Sequence, residues 1–242
     1  MTRSPPERDV LAFVRSDVGR VRSNNEDACA VSDEPGMLTS WSGHLASDGG
    51  WALVADGLGG HAAGEVASVL AIEIMRPVMS ALRTDHDIAT ALLSADTALY
   101  LAMDQDCGLE GMGTTIAGVV VRGEEILAFN VGDSRIYHLG DAGLTQFSAD
   151  DVVGRNRLTQ CLGGSQAQVK LNPHVARFPF RTGDTLLLCS DGLTDMLPDK
   201  TIGSLLVAAD PAAALIAAAL EAGGHDNVSA VILRRVLKPP LL

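Results

Sequence analysis

The sequence predicts an α+β fold with antiparallel sheets, and three observations carry that expectation. Strand-like and helical segments arrive in blocks, not as regular βαβ units. In mid-chain, the strand-length runs "GTTIAGVVVR", "EEILAFNVGD" and "SRIYHLG" are divided only by "GEE" and "GDS", the punctuation of an antiparallel meander. With 47% of its 242 residues hydrophobic, the chain has the means to bury a full core.

Along the chain, "DVLAFV", "DACAVS" and "WALVA" read as early strands, the last delivering Asp56 ahead of a glycine-rich turn. From His61 to Arg83 apolar residues recur at helical spacing, with a kink expected at Pro77, and Asp87 to Asp104 repeats the signal. After the meander, "NRLTQCLGG" reads as a short helix closed by glycine. "LNPHVARFPF" and "DTLLLCSDG" are strands, Asp199 to Glu221 is helical and Ala-rich, and "NVSAVILRRV" is a final strand. The proline-bearing ends read as tails over 1–8 and 237–242, bracketing one domain at 9–236.

Composition excludes several functions. A net charge of -12 repels nucleic acid and anionic membrane, so neither is expected as a partner. No apolar run of about 18 residues and no signal-type N-terminus appears, so a cytoplasmic protein without membrane insertion is expected. Cys29, Cys107, Cys161 and Cys189 are widely spaced in apolar settings and read as reduced core residues, not disulfides or zinc ligands.

The informative feature is a repeated one. Carboxylates stand beside glycine or in a glycine-rich turn at Asp56-Gly57, Gly132-Asp133, Asp191-Gly192 and Asp226 of "GGHDN". Any single Asp-Gly pair reads first as a turn. Asp191, however, follows the almost wholly apolar "LLLC", with Asp195 one helical turn on. Buried carboxylates are costly unless paired or bound to a cation, and clustered ones repel by roughly 1 to 4 kcal/mol per pair. Few bases lie near in sequence, so a divalent ion is the natural neutraliser, and hard oxygen ligands select Mg²⁺ or Mn²⁺.

In order, "SDVGRVRSNNEDA", "LVADGLGGHAAGEVAS", "GMGTT", "VGDSR", "LLCSDGLTDML" and "GGHDNVSAVIL" resemble the motifs of the metal-dependent PP2C-type (PPM) protein phosphatases, over about Asp17 to Val231. The resemblance implies a four-layer α-β-β-α sandwich of two antiparallel sheets flanked by helices, with metals at one end between the sheets. It implies Asp56 as the carboxylate bridging two metals and Gly57 as a backbone-carbonyl ligand. Asp191 and Asp226 would be further ligands, Glu26 and Asp27 would act through waters, and Asp133 with Asp191 and Asp195 would form a weaker third site.

Arg22 fits the family's phosphate-binding arginine, a planar fork that grips two phosphoryl oxygens. Arg15 and Arg20 read as solvated surface residues. The implied reaction is hydrolysis of phosphoserine and phosphothreonine on proteins by a water activated between two Mn²⁺ or Mg²⁺ ions, with Arg22 and Asp56 as the catalytic pair. The implied partners are phosphorylated proteins and a cognate Ser/Thr kinase, and a monomer is expected.

The sequence also departs from the family. Leu58 stands where many eukaryotic members carry a histidine proposed as general acid, so the leaving alkoxide must take its proton elsewhere. His61 reads as part of a helix start. His44 and His86 read as loop-like or helix-start residues, His138 as alternating on a strand, and His174 as following a proline. His225 could tune Asp226 or face the cleft.

Between Gln146 and Leu162 the flap is short, leaving a more open cleft. That shortness, with "NRLTQCLGG", resembles the phosphatase that opposes a membrane kinase in type VI secretion clusters. A pseudophosphatase would lose bridging or flanking aspartates, all present here, and a Ca²⁺-binding structural protein would need loops with alternating ligands, which are absent from the sequence.

Overall fold

A computed structural model describes residues 8–58, 62–154, 157–165 and 167–237. His61 and most of both expected tails lie outside the described residues.

The chain opens with β1 (Arg8–Asp17), β2 (Asp27–Val31), β3 (Ser40–Leu45) and β4 (Asp48–Leu58). Two helices follow, α1 (Ala62–Met75) and α2 (Asp85–Gln105). Next come β5 (Gly113–Thr114), β6 (Ile116–Arg122), β7 (Glu125–Val131), β8 (Arg135–Gly140) and β9 (Gly143–Gln146). A short hairpin of β10 (Val152–Val153) and β11 (Arg157–Leu158) leads to β12 (Leu162–Gly163), β13 (His174–Pro179) and β14 (Thr185–Cys189). The chain ends with α3 (Asp191–Thr194), α4 (Asp199–Leu205), α5 (Pro211–Glu221) and β15 (Val228–Leu237).

Two antiparallel sheets form the centre. One runs β3-β1-β15-β14-β8-β9; the other runs β12-β5-β4-β6-β7-β13, with β2 also paired to β4. Arg8 and Leu237, assigned to the tails from sequence, are partners in the β1–β15 ladder.

Three apolar clusters glue the layers. Ala52, Val54, Val119 and Ala128 of one sheet meet Val14, Leu186, Leu188 and Val231 of the other. Leu53, Ala55, Val120 and Phe129, on the alternate positions, pack under Ala67, Ile72, Leu92 and Leu99 of α1 and α2. Leu187, Cys189 and Ile232 pack under Ile202, Leu215 and Ala219 of α4 and α5. Helix, sheet, sheet and helix therefore stack as four layers. Both faces of each central strand are covered, which is why those strands read as continuous apolar runs instead of alternating ones.

Several expectations need correction. The expected meander is broken, because β6 and β7 pair with each other while β8 joins the opposite sheet beside β14. "RLTQCLGG" forms no helix; Arg157–Leu158 and Leu162–Gly163 are short strands, the latter paired with β5. Pro77 does not kink α1, which ends at Met75, consistent with the bias of a pre-proline residue away from helix. His44 sits in β3, an edge strand that its polar sequence hid. Cys29 and Cys189 are buried, but Cys107 is exposed and Cys161 only half-buried; all four are free thiols. Arg15 is not simply solvated: its Nη2 reaches Asp210 Oδ2 at 2.8 Å and its Nη1 donates to the Val14 carbonyl at 2.7 Å.

Candidate functional site

Sheet alternation places the first two acids. On β4, Ala52 and Val54 face between the sheets, and Asp56 continues that face two residues on. On β2, Cys29 and Val31 face inward, which assigns Asp27 to the same side. Asp27 and Asp56 are direct cross-strand partners, so two carboxylates meet at one end of the inter-sheet layer. Asp56-Gly57 is not a turn. The strand runs on to Leu58, with Gly57 opposite Thr114 and Leu58 opposite Gly113.

The backbone around Asp56 is held by the "GTT" motif. The Thr115 N–H and the Thr114 hydroxyl donate to the Asp56 carbonyl at 2.9 Å, and Asp56 N–H donates to Thr115 Oγ1 at 3.1 Å. Thr115 Oγ1 in turn lies 2.7 Å from Ser134 Oγ, tying "GTT" to the turn that carries Asp133. That turn requires glycine: Gly132 has φ +98°, and a Cβ there would stand 2.7 Å from Thr115 Cβ.

The other sheet supplies the facing acids. β14 ends at Cys189; Ser190 donates to Asp27 Oδ2 at 2.7 Å, and Asp191 begins α3. Asp195 caps that short helix, its N–H on the Asp191 carbonyl at 2.8 Å, as the one-turn spacing implied. Asp226 lies in the loop before β15, and Arg22 Nη2 pairs with its Oδ2 at 2.7 Å.

Asn227, which sequence reading passed over, organises this corner. Its Oδ1 accepts the Glu26 N–H at 2.9 Å, while its Nδ2 donates to the carbonyls of Val18 at 2.9 Å and Asn24 at 2.8 Å. The loop bearing Arg22 and Glu26 is thereby fixed to the start of β15. Its signal was the polar residue immediately after "HD", read only for its aspartate.

Arg22, Glu26, Asp56, Gly57, Leu58, Asp133, Leu158, Asp191, Asp226 and Asn227 line one cavity of about 340 Å³. A smaller cavity of about 120 Å³ adjoins it through Asp133 and Asp191 and adds Asp195, Asp150 and Arg135. Of the residues expected at the site, Glu26, Asp56, Gly57, Asp133, Asp191, Asp226 and Arg22 therefore share the main cleft, and Asp195 lies next door. Asp27 sits beneath, on the strand beside Asp56. His225 is exposed and is not among the residues lining the cleft.

Crowding perturbs Asp27, Asp56, Asp133 and Asp191 in one direction, upward. Burial, reinforced by Asp27 and Asp191, holds the Asp56 carboxyl well above its ordinary range. Burial pushes Asp27 up to about 6, with Ser229 and Ser190 opposing the rise. Asp191 rises to about 7, from burial and then the Asp133 charge, and burial also raises Asp133. Arg22 is raised by its hydrogen bond to Asp226. Asp150 is paired with Arg135, whose Nη2 and Nε lie 2.7 and 2.9 Å from Oδ2.

Among the described residues, no three His, Cys, Asp or Glu side chains already form a closed metal cage. The residues present nevertheless fit divalent cations. Asp27 Oδ1 is buried with no hydrogen-bond partner among the described residues, every acid here offers only oxygen, and Asp27, Asp56, Asp133 and Asp191 are held toward protonation. A hard cation would offset the mutual repulsion, and its bound water would satisfy the orphaned oxygen.

Comparison with known proteins gives concordant matches. The family model described as Protein phosphatase 2C matches residues 20–233. The serine/threonine phosphatase Stp of Listeria monocytogenes is 31% identical, over 93% of this chain and 96% of Stp. The protein phosphatase PstP of Mycobacterium tuberculosis is 35% identical over 90% of this chain, which spans only 43% of PstP. Among solved structures, the PstP catalytic domain in complex with 2 manganese ions superimposes with a TM-score of 0.78 at 33% identity, covering 95% of this chain and 99% of that one. PppA, described as a key regulatory component of T6SS in Pseudomonas aeruginosa, follows with a TM-score of 0.77 at 28% identity, covering 93% and 97%.

Proposed function

This chain belongs to the protein phosphatase 2C family, and from that premise we propose that it hydrolyses phosphoserine and phosphothreonine on proteins. The observation that carries the reading is the Asp27–Asp56 pair, set between the two sheets at the floor of an acidic cleft whose mouth holds an arginine.

Asp56, Asp191, Asp226 and the Gly57 carbonyl would hold two Mn²⁺ or Mg²⁺ ions, with Glu26 and Asp27 acting through waters. Asp133, Asp191 and Asp195 would hold a weaker third ion at the junction of the two cavities. When bound, the ions lower the pKa of a water poised for attack and offset charge on the phosphoryl oxygens.

The chain's own residues do the rest. Arg22, at the cleft mouth, turns its guanidinium fork to two phosphoryl oxygens and sets the phosphorus in line for attack. The Thr114 and Thr115 bonds keep the Asp56 main chain from shifting as charge develops. Leu58 offers no proton to the leaving alkoxide, which takes one from solvent at the open rim. No protein nucleophile is needed, and Cys29 and Cys189 are buried in apolar layers, where burial raises their thiols.

The chain would act as a monomer in the cytoplasm, opposing a Ser/Thr kinase. Among the described residues, no helix is long and apolar enough to cross a membrane. A role in type VI secretion is supported by the likeness to PppA, and the short rim hairpin accords with it. The test is hydrolysis of a phosphothreonine peptide with Mn²⁺, with chelator, and by Asp56→Asn. Activity that needs the ion and is lost in the folded variant is expected; turnover by Asp56→Asn in excess Mn²⁺ would end the reading.

A further inference from the structure

Within the shortened flap, Asp150-Asp151 leads into β10, and the second of these acids lines neither cavity. Its side chain is only 10% exposed and takes three donors. Asp151 Oδ2 accepts from the Gly132 N–H at 2.9 Å and from Gln160 Nε2 at 2.8 Å, while Oδ1 lies 2.8 Å from His174 Nε2. Its backbone adds two bonds, Asp151 N–H to the Gly132 carbonyl at 3.0 Å and Thr159 N–H to the Asp151 carbonyl at 2.7 Å.

One carboxylate thus joins four pieces of chain. They are the outgoing arm of the flap, its returning arm at Thr159-Gln160, the β7–β8 turn at Gly132-Asp133, and His174 on the edge strand β13. Gln160 and Asn172 reinforce the join, with Gln160 Nε2 on the Asn172 carbonyl and the Asn172 N–H on Gln160 Oε1, both at 3.0 Å.

Between the two arms stands the β10–β11 hairpin. Leu158 on its returning strand lines the main cleft beside Arg22 and Asp56. Val152 lines the smaller cavity and, with Val153, is also open to solvent, at 38% and 47% exposure. A small aryl phosphate can be held by the cleft of about 340 Å³ alone. A polypeptide carrying a phosphoresidue extends past the cleft on both sides, and Leu158 and Val152 place the hairpin on that rim.

We propose that Asp151 is a positioning residue for protein substrates: it pins the apolar rim of Leu158, Val152 and Val153 against the cleft, so that the chain flanking the phosphoresidue has a fixed surface to dock on. The proposal rests on the phosphatase reading above. Asp151 touches no reacting atom, and its effect runs through the placement of the hairpin.

The experiment compares wild type, Asp151→Ala and Val153→Asp on p-nitrophenyl phosphate and on a phosphothreonine peptide of about ten residues, each in saturating Mn²⁺. Both variants should raise KM for the peptide about tenfold, the loss of one good contact, while kcat/KM for p-nitrophenyl phosphate stays within about twofold of wild type. An equal fall on both substrates in Asp151→Ala would assign the residue to support of the Asp133 turn and overturn the proposal. Unchanged peptide KM in either variant would overturn it too. Val153→Asp changes an exposed side chain, so it keeps the question open to refutation should Asp151→Ala fail to fold. If wild type hydrolysed neither substrate, the phosphatase reading itself would fall, a result distinct from every other.

Discussion

Asp27→Asn should make the ion-free protein more stable and the ion-loaded protein less so. The Asp27 carboxyl rises from 3.8 to about 6, mainly through burial. A carboxylate whose folded pKa lies above its unfolded value imposes no penalty below the unfolded pKa. The penalty grows as pH rises from about 4 to 6 and is complete above that. At about 1.4 kcal/mol per unit this caps the cost of the charged form near 3 kcal/mol at neutral pH, and partial solvent access cuts it to roughly 1–2 kcal/mol. Asparagine keeps an oxygen for the Ser190 hydroxyl, 2.7 Å from Oδ2, and carries no charge. In a chain of this size the gain is a rise in melting temperature of about 3–6 °C. Thermal melts in chelator at pH 7.5 measure it. Repeating them in millimolar Mn²⁺ should reverse the order, because the wild type alone gains the full ligand-linked stabilisation. A variant that melts below wild type in chelator would refute the reasoning, since Asp27 would then be an ion that the fold favours.

Other outcomes follow from the same geometry. Arg22→Ala should weaken inhibition by inorganic phosphate about 10- to 100-fold, the loss of a charge-assisted contact, yet leave calorimetric Mn²⁺ affinity equal or tighter because Asp226 loses the competitor that sits 2.7 Å away; weaker Mn²⁺ binding would contradict the pairing. Asn227→Ala strands the Glu26 N–H and the carbonyls of Val18 and Asn24, costing about 2–3 kcal/mol by urea denaturation, and a change below about 0.5 kcal/mol would remove its organising role. Gly57→Ala places a Cβ 2.1 Å from the Gly64 carbonyl oxygen and should cost at least about 2 kcal/mol by lifting α1 from β4; a wild-type melt would show that the helix gives way freely.

Most strands were legible because the four-layer stack covers both faces and leaves uninterrupted aliphatic runs such as "LLLC" and "WALVA". What the residues did not reveal was which sheet a strand joins. The "VGDS" turn has hairpin chemistry, but Asp151 and Thr115 grip Gly132 and Ser134 and steer β8 across to the other sheet. "NRLTQCLGG" mimics a helix through Leu158 and Leu162 at a spacing of four. Its Gly163 N–H goes instead to buried Asp96 at 2.8 Å, a partner 67 positions away that no local pattern announces. The polar β3 lies at a sheet edge, where burial writes no alternation. Asp56 and Asp191 stood out for the opposite reason, since each closes an apolar run, whereas Glu26 was marked only by the family resemblance. The roles of Asn227, Ser190 and Asp151 exist only in three dimensions, in partners far away along the chain.

The pairing of β2 with β4 carries one more implication, about error tolerance in assembly. Were β4 to slip by a single residue against its neighbours, Asp56 would swing to the side now occupied by Leu53 and Ala55, into the oily floor beneath α1. The same slip would thrust those leucine and alanine side chains toward the opposite sheet and leave both interiors misfilled. Hydrocarbon on either side of the strand therefore proofreads the location of a charged group that hydrocarbon alone would reject.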